Sequence, residues 1–212
     1  MSLLTEPIGS IPRPQALQEG MQAAADGRIA QDELDALFDD AVRDTVHRFE
    51  ATGSPVITDG EQRKPSFATY PVAGVPLAPG GVTIPFADGH TRQLPVITAG
   101  PFRYATKAYT YVDAARGLTD VPLKQAVISA SALSLLYPGD GIEGYPRDAF
   151  IDDLVAEAAS ELRGILERGA RAQIDFTEAR LSLKLDPSGG LLGAFVDLNN
   201  RVLAELTDDE RS

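Results

Sequence analysis

The sequence contains no cysteine and no tryptophan, and only two histidines among its 212 residues. Without cysteine the chain has no disulfide framework, no thiol nucleophile and no thiolate ligand for a metal ion. The two histidines, His47 and His90, lie in different kinds of segment and lack the paired spacing of a helical zinc site. We therefore interpret both as structural or surface residues, and the residues themselves predict no metal site.

Long apolar runs and clustered positive charge are missing as well. No apolar stretch is long enough to cross a membrane, and the N-terminal segment lacks the basic and apolar parts of a signal peptide. The net charge of −12 argues against a nucleic-acid partner, because binding to phosphates requires clustered lysine and arginine. With 43% hydrophobic and 24% charged residues, the composition is typical of a globular protein. We expect a cytoplasmic protein with neither a nucleic-acid nor a membrane partner.

Short β-type runs alternate with amphipathic helical patterns along the chain, which is typical of βα units. Helices are predicted over residues 15–25, 31–51, 107–116, 147–168 and 190–206. A strand end with a turn is predicted over residues 6–14, and barrel-type strands are predicted over 55–58, 96–99, 123–129 and 170–174. The prolines and glycines of residues 65–95 predict an inserted β-hairpin, with β-type pieces over 72–75, 82–86 and 92–94.

The predicted fold class is therefore α/β, of the TIM (βα)8-barrel type. A closed barrel needs eight strands and usually about 250 residues, and this chain supplies about five βα units. We expect one partial-barrel domain over residues 1–212, with residues 65–95 as the hairpin insertion.

Polar residues follow three of the predicted strands, at the sheet edge where α/β proteins place their active sites. They are Ile8-Gly9-Ser10, then Glu61 just beyond Asp59, and then Asp175 with Glu178. Two carboxylates that face one mouth can bind an ammonium group, orient a base or ligate a hard cation. The alternative is that each acidic residue caps the helix that follows it.

Three segments carry a more specific signal: TEPIGSIPRP, SPVITDGEQRKPSFATY and QIDFTEARLSLKLDPSGGLL. In this order they resemble the catalytic domain of the cobalamin-independent methionine synthases. The long helix between the first two segments and the KQAVISASAL strand before the third fit the same pattern, so the resemblance covers nearly the whole chain. It implies a (βα)8 barrel that transfers a methyl group from 5-methyltetrahydrofolate, or its polyglutamate form, to homocysteine and forms methionine.

The resemblance also implies roles for individual residues. Ile8, Gly9 and Ser10 match the turn that cradles the carboxylate of the amino acid. Glu61 and Asp175 match the catalytic-site acids that hold its amino group.

The family activates the thiol with zinc, held by a histidine, cysteines and a glutamate that follow the aspartate motif. The resemblance thus implies zinc as cofactor, but we expect its ligands to be absent from this chain. The methyl donor stays open, because Leu136 stands where the family has a tryptophan, and residues 89–91 do not match its folate-contacting loop.

Two alternatives remain. In the first, the chain is a non-catalytic fragment, or a subunit that pairs with a second half-barrel or with a second copy of itself. In the second, the chain is a metal-free decarboxylase of the same barrel superfamily, which requires several arginines converging on substrate carboxylates. Of Arg13, Arg63 and Arg180, only Arg13 is attached directly to a strand-end motif.

Overall fold

The structure is a computed structural model that describes residues 5–85 and 88–211. The helices are α1 (Gln15–Ala25), α2 (Gln31–Ala51), α3 (Tyr109–Arg116), α4 (Ala130–Leu133), α5 (Arg147–Leu166), α6 (Ala179–Leu185), α7 (Gly190–Ala204) and α8 (Asp208–Arg211). The strands are β1 (Leu77–Ala78), β2 (Thr83–Pro85), β3 (Thr91–Gln93), β4 (Val96–Ile97), β5 (Lys124–Ile128) and β6 (Arg171–Asp175). No helix among the described residues is both long and apolar enough to cross a membrane.

The long helices lie where the hydrophobic periodicity predicts them. Helices α1 and α2 have the predicted bounds, and they pack together through Leu17, Leu34 and Ala41. Helix α2 ends just before Gly53, whose φ of 72° provides the left-handed turn of a helix C-terminus. The N–H of Gly53 donates to the carbonyl of Glu50 at 3.0 Å, so the last turn of the helix is satisfied.

The strands pair in three two-stranded sheets within the described chain. Strands β2 and β3 form an antiparallel hairpin, β1 and β4 are also antiparallel, and β5 lies beside β6. Ile57 adds an isolated parallel bridge to Leu123 next to β5. These sheets do not close into a barrel over the residues described, so the architecture is mixed α/β and the partial barrel stays a prediction.

Four predicted β segments differ from the structure. Residues 6–14, predicted as a strand end with a turn, form no strand. Residues 70–72 form a buried 3-10 turn with Pro71 at its start, so the strand predicted over 72–75 is wrong. The predicted strand over 55–58 reduces to the single bridge of Ile57, because the tight turn that begins at Thr58 ends the pairing. Strand β4 pairs antiparallel with β1 instead of continuing a parallel series. Phe86, the end of another predicted β piece, lies outside the described residues.

The described chain divides into two compact units. Unit 1 comprises residues 5–67, 108–126 and 164–173, and unit 2 comprises residues 68–85, 88–107, 127–163 and 174–211. Unit 1 has its core between α1 and α2. In unit 2 the buried face of α5 includes Phe150, whose ring meets that of Phe102 edge-on at 5.1 Å. That residues 1–212 form one partial-barrel domain with a hairpin insertion stays a prediction.

Candidate functional site

A tight turn in unit 1 carries the predicted acid Glu61. Gly60 and Glu61 both have left-handed backbone, with φ of 68° and 57°. Such a conformation is uncommon for a residue with a side chain and needs support from its surroundings. The support comes from Asp59, whose carboxylate accepts the N–H of Glu61 at 2.9 Å. Thr58 accepts the N–H of Gly60 at 3.2 Å and donates to the carbonyl of Gly9 at 3.1 Å, which ties the turn to the first motif.

The backbone of Gly9 lies directly against the carboxylate of Glu61. A Cβ atom at Gly9 would stand 2.8 Å from Oε1 of Glu61. At that distance one of the two groups would have to shift. Gly9 itself is buried, whereas the neighbouring Ile8 and Ser10 are exposed. The structure thus brings the predicted carboxylate-binding turn and one predicted ammonium-binding acid together within unit 1.

Glu61 also has a buried cationic partner that sequence reasoning missed. Nζ of Lys64 lies 3.3 Å from Oε1 of Glu61 and donates to the carbonyl of Ala126 at 2.5 Å. The two side chains are only 1% and 5% exposed, Lys64 being the more buried. The spacing of three residues between an acid and a lysine was the available signal, but it is common on protein surfaces and does not indicate burial.

Arg13 holds this turn through the main chain. Its guanidinium donates to the carbonyls of Gln62 and Glu61, each at 3.2 Å, and to the carbonyl of Lys64. These bonds tie three backbone carbonyls of the turn to one side chain, and the carbonyl of Glu61 also accepts the N–H of Lys64 at 3.1 Å. The arginine attached to the first motif is therefore engaged in fixing the position of Glu61.

Asp59 is a second buried carboxyl group in the same turn, only 3% exposed. Burial raises the pKa of Asp59 above its ordinary value, and this outweighs the lowering by the Glu61 N–H and by the charge of Lys64. One oxygen accepts from Glu61, while the other has no hydrogen-bond partner among the described residues. The folded chain therefore favours the proton-bound form of Asp59 more than an exposed aspartate would.

Beside this turn, unit 1 has an open groove of about 800 Å³. It is lined by residues 10–13 and by Gln18, Met21 and Gln22 of α1. Ser10, the last residue of the predicted carboxylate-binding turn, thus opens onto a space large enough for a small molecule.

Unit 2 contains the other predicted acid, Asp175, at the end of β6, where it is half-buried. Glu178 follows and is 5% exposed. Its side chain does not cap helix α6, although it precedes the helix directly. Its Oε1 instead accepts the hydroxyl of Ser129 at 2.7 Å and that of Ser131, and Asn199 donates to Ser131 at 2.8 Å.

The predicted site residues are therefore divided between the two units. Unit 1 joins Gly9 and Glu61 and adds Lys64, while Asp175 belongs to unit 2 with Glu178. The buried serines of unit 2 were not among the predicted site residues. The sequence feature that could have indicated these serines is the run of small polar residues at the end of the KQAVISASAL strand. The assignment of Ile8, Gly9, Ser10, Glu61 and Asp175 to one binding site stays a prediction.

The side chains present do not fit the zinc centre that the resemblance implies. The sequence supplies no cysteine, and over residues 5–85 and 88–211 no three metal-binding side chains are grouped to hold an ion. His47 is exposed on α2, and His90 lies in the β2–β3 turn with its Nδ1 2.5 Å from Oδ1 of Asp88. No step of a reaction is therefore assigned to a metal held by these residues.

Comparisons with known proteins place this geometry in context. No family model matches the chain. A segment of 68 residues is 40% identical to the methionine synthase of Sulfurisphaera tokodaii and 37% identical to that of Sulfolobus acidocaldarius. This segment covers 32% of the chain and only 20% of each relative.

Solved structures extend the likeness to the fold of nearly the whole chain. A B12-independent methionine synthase from Shewanella sp. W3-18-1, in complex with selenomethionine, matches 96% of the chain with a TM-score of 0.68 and 16% identity. A putative vitamin-B12 independent methionine synthase from Listeria monocytogenes matches 98% with a TM-score of 0.66 and 20% identity. The chain spans 58% and 64% of these two proteins. The resemblance to the cobalamin-independent methionine synthases is thereby confirmed.

Proposed function

We propose that this chain carries the amino-acid-binding part of a methyltransferase that forms methionine from homocysteine. By the resemblance, the methyl donor is of the 5-methyltetrahydrofolate type. Ile8, Gly9 and Ser10 receive the carboxylate of the amino acid, and Glu61 and Asp175 receive its ammonium group. The proposal combines the resemblance of the motifs with the geometry of unit 1.

The observation that carries the proposal is the contact between Gly9 and the carboxylate of Glu61. An α-amino acid bears its carboxylate and its ammonium group on the same carbon atom. A site for it needs main-chain or hydroxyl donors immediately beside an acid. The turn of Gly9 and Ser10 next to Glu61 has this composition, and the missing side chain of Gly9 is what permits the close approach.

The contribution of these residues to the reaction is binding and orientation. A thiol attacks a methyl group in line, so holding the amino-acid end fixes the direction of the sulfur and lowers the entropic cost of the transfer. The zinc implied by the family supplies a thiolate when it is bound, because a neutral thiol is a poor nucleophile near neutral pH. We expect the ligands of that zinc to be supplied by residues other than those of this chain.

The structure gives less support to the decarboxylase alternative. That chemistry requires arginines free to meet substrate carboxylates, but Arg13 is engaged by three carbonyls. Arg63 is engaged by Asp35 and Asp39 of α2.

Ligand binding to the purified chain tests the proposal, and it is measured by NMR titration of ¹⁵N-labelled protein and by calorimetry. We expect L-methionine and L-homocysteine to bind weakly, with a Kd on the order of 1 mM, and zinc to leave the affinity unchanged. Glu61→Gln and Asp175→Asn should each weaken binding by about tenfold, since each loses one charged acceptor for the ammonium group. Asp120→Asn, at an exposed position, is the matched control.

Two results would contradict the proposal. Equal binding of 4-(methylthio)butanoate, which lacks the ammonium group, would show that the acids do not recognise it. Tight binding enhanced by zinc would show that the zinc ligands are present after all.

Size-exclusion chromatography separates the remaining interpretations of the chain. A monodisperse dimer supports a subunit that pairs with a second copy, because a half-barrel would expose two sheet edges that favour such pairing. Aggregation supports a fragment whose apolar surfaces lack their cover.

A further inference from the structure

Glu178 stands at the start of α6, but its side chain does not serve that helix. An acidic residue at this position ordinarily accepts N–H groups of the first helical turn. Here the main-chain carbonyl of Glu178 accepts the N–H of Ser182 at 2.9 Å, and the side chain makes no capping bond. The carboxyl group is buried and reaches Ser129, which directly follows β5. The side chain therefore ties the start of α6 to the end of β5.

The hydroxyls that hold Glu178 are themselves fixed in place. Oε1 of Glu178 accepts from Ser129 at 2.7 Å and from Ser131, and both serines are fully buried. Ser129 caps α4 by accepting the N–H of Ala132 at 3.2 Å, and Asn199 of α7 donates to Ser131 at 2.8 Å. All of these residues belong to unit 2. Because the two serines are held by helices on their own account, they form a rigid anchor for Glu178.

This anchor lies close to Asp175 along the chain. Asp175 ends β6, which pairs with β5, and only Phe176 and Thr177 separate it from Glu178. Three residues span at most about 10 Å, so a chain fixed at both ends over this length has little freedom. Asp175 is half-buried and keeps surface that a ligand can reach, whereas Glu178 is buried. The two acids are thus suited to different tasks.

We infer that Glu178 is a positioning residue for Asp175, which it holds in place for the ligand's ammonium group through its hydrogen bonds to Ser129 and Ser131. The inference rests on the proposed function, because it takes Asp175 as an acceptor of that ammonium group. A charge-assisted hydrogen bond is short and depends on geometry, so an acid on a loose loop binds an ammonium group less well than a fixed one.

The geometry of Glu178 supplies a matched pair of variants. Oε1 carries both serine contacts, and Oε2 has no hydrogen-bond partner among the described residues. Glu178→Gln keeps one acceptor oxygen for the serines, and its amide nitrogen takes the place of the oxygen that accepts nothing. Glu178→Ala removes the anchor. Positioning therefore predicts that the first variant retains ligand recognition and that the second loses it.

The test compares L-methionine with 4-(methylthio)butanoate, which lacks the ammonium group, by NMR titration of the full chain. Methionine affinity should fall by about fivefold in Glu178→Ala and by less than about twofold in Glu178→Gln. The affinity of 4-(methylthio)butanoate should not change in either variant. In an Asp175→Asn background Glu178→Ala should have no further effect on methionine, because two residues that act through one contact are not additive.

A merely structural role of Glu178 predicts different results. An equal fall for both ligands, or a full additional fall in the Asp175→Asn background, would overturn the inference. Val155→Ala is the control for general destabilisation, since it shortens a buried side chain of α5 in the same unit. It should leave the preference for methionine unchanged, and a loss as large as that in Glu178→Ala would also overturn the inference.

Amide hydrogen exchange of the unliganded chain separates this inference from the proposed function. Exchange at Phe176 and Thr177 should be about tenfold faster in Glu178→Ala than in the unmodified chain or in Glu178→Gln, because the loop loses its anchor. Unchanged exchange would overturn the role of Glu178 while the proposed function stands. If the unmodified chain binds both ligands equally, the proposed function fails and the inference fails with it, whatever the exchange rates are.

Discussion

Two buried glutamates, one in each unit, show two different ways to compensate a carboxyl group for the loss of its contacts with water. Glu61 in unit 1 and Glu178 in unit 2 are each 5% exposed. Glu61 lies against the ammonium group of Lys64, whereas Glu178 accepts hydrogen bonds from the neutral hydroxyls of Ser129 and Ser131. Unit 1 therefore compensates burial with an opposite charge, and unit 2 compensates it with hydrogen bonds.

This difference has consequences for function. A carboxylate paired with a cation can exchange that cation for the charged group of a ligand. The carboxyl group of Glu178 is instead part of a hydrogen-bond network that joins α4 to α7 through Asn199. Its position depends on the geometry of these hydrogen bonds more than on its charge. The proposed ligand recognition therefore falls to Glu61, and we expect Glu178 to organise the loop between β6 and α6, which follows Asp175.

The largest expected effect comes from breaking the ion pair of unit 1. Lys64→Met should lower the free energy of unfolding by about 3 kcal/mol, because Glu61 stays buried without its counter-charge. The double variant Glu61→Gln with Lys64→Met should recover most of this loss, because neither charge remains. Urea denaturation measures both. A double variant as unstable as the single one would show that the charge of Glu61 is not the cause.

A smaller effect is expected in unit 2, where the matched pair is Glu178→Ala and Glu178→Gln. Glu178→Ala should cost about 2 kcal/mol, because the fully buried hydroxyls of Ser129 and Ser131 lose their acceptor. Glu178→Gln keeps an acceptor oxygen at the same place and should cost less than about 1 kcal/mol. Equal losses in urea denaturation would mean that the charge of Glu178 matters, and the contrast between the two units would not hold.

Much of this contrast lies beyond what the sequence can predict. Apolar residues at three- and four-residue spacing give the bounds of α1 and α2, because a helix places them on one face whatever the rest of the chain does. The structure also brings Gly9 close to Glu61, whereas the expectation that the polar residues of three strand ends share one edge stays a prediction. That expectation depended on glycine, which marks a place of close approach.

The partners of the two glutamates are harder to predict, for different reasons. Lys64 is close to Glu61 in sequence, but its burial depends on Ala126, which is 62 residues away. The hydroxyls of Ser129 and Ser131 meet a carboxyl group 49 and 47 residues along the chain. Serine is common at strand ends and carries no signal for one particular partner. Long-range pairing of this kind is fixed by the tertiary fold and not by local pattern.

The smallest expected effect concerns the pH dependence of unit 1. Burial raises the pKa of Asp59 above the ordinary value of 3.8, so the folded chain holds the proton more tightly than the unfolded chain does. Asp59 therefore lowers stability as the pH rises from 3.8 through its folded-state pKa. Asp59→Asn keeps an acceptor for the Glu61 N–H and should be more stable than the unmodified chain at neutral pH, with the difference shrinking towards acid pH. Urea denaturation across this range, with Asp120→Asn as control, measures it, and a difference that does not change with pH would exclude titration of Asp59 as the cause.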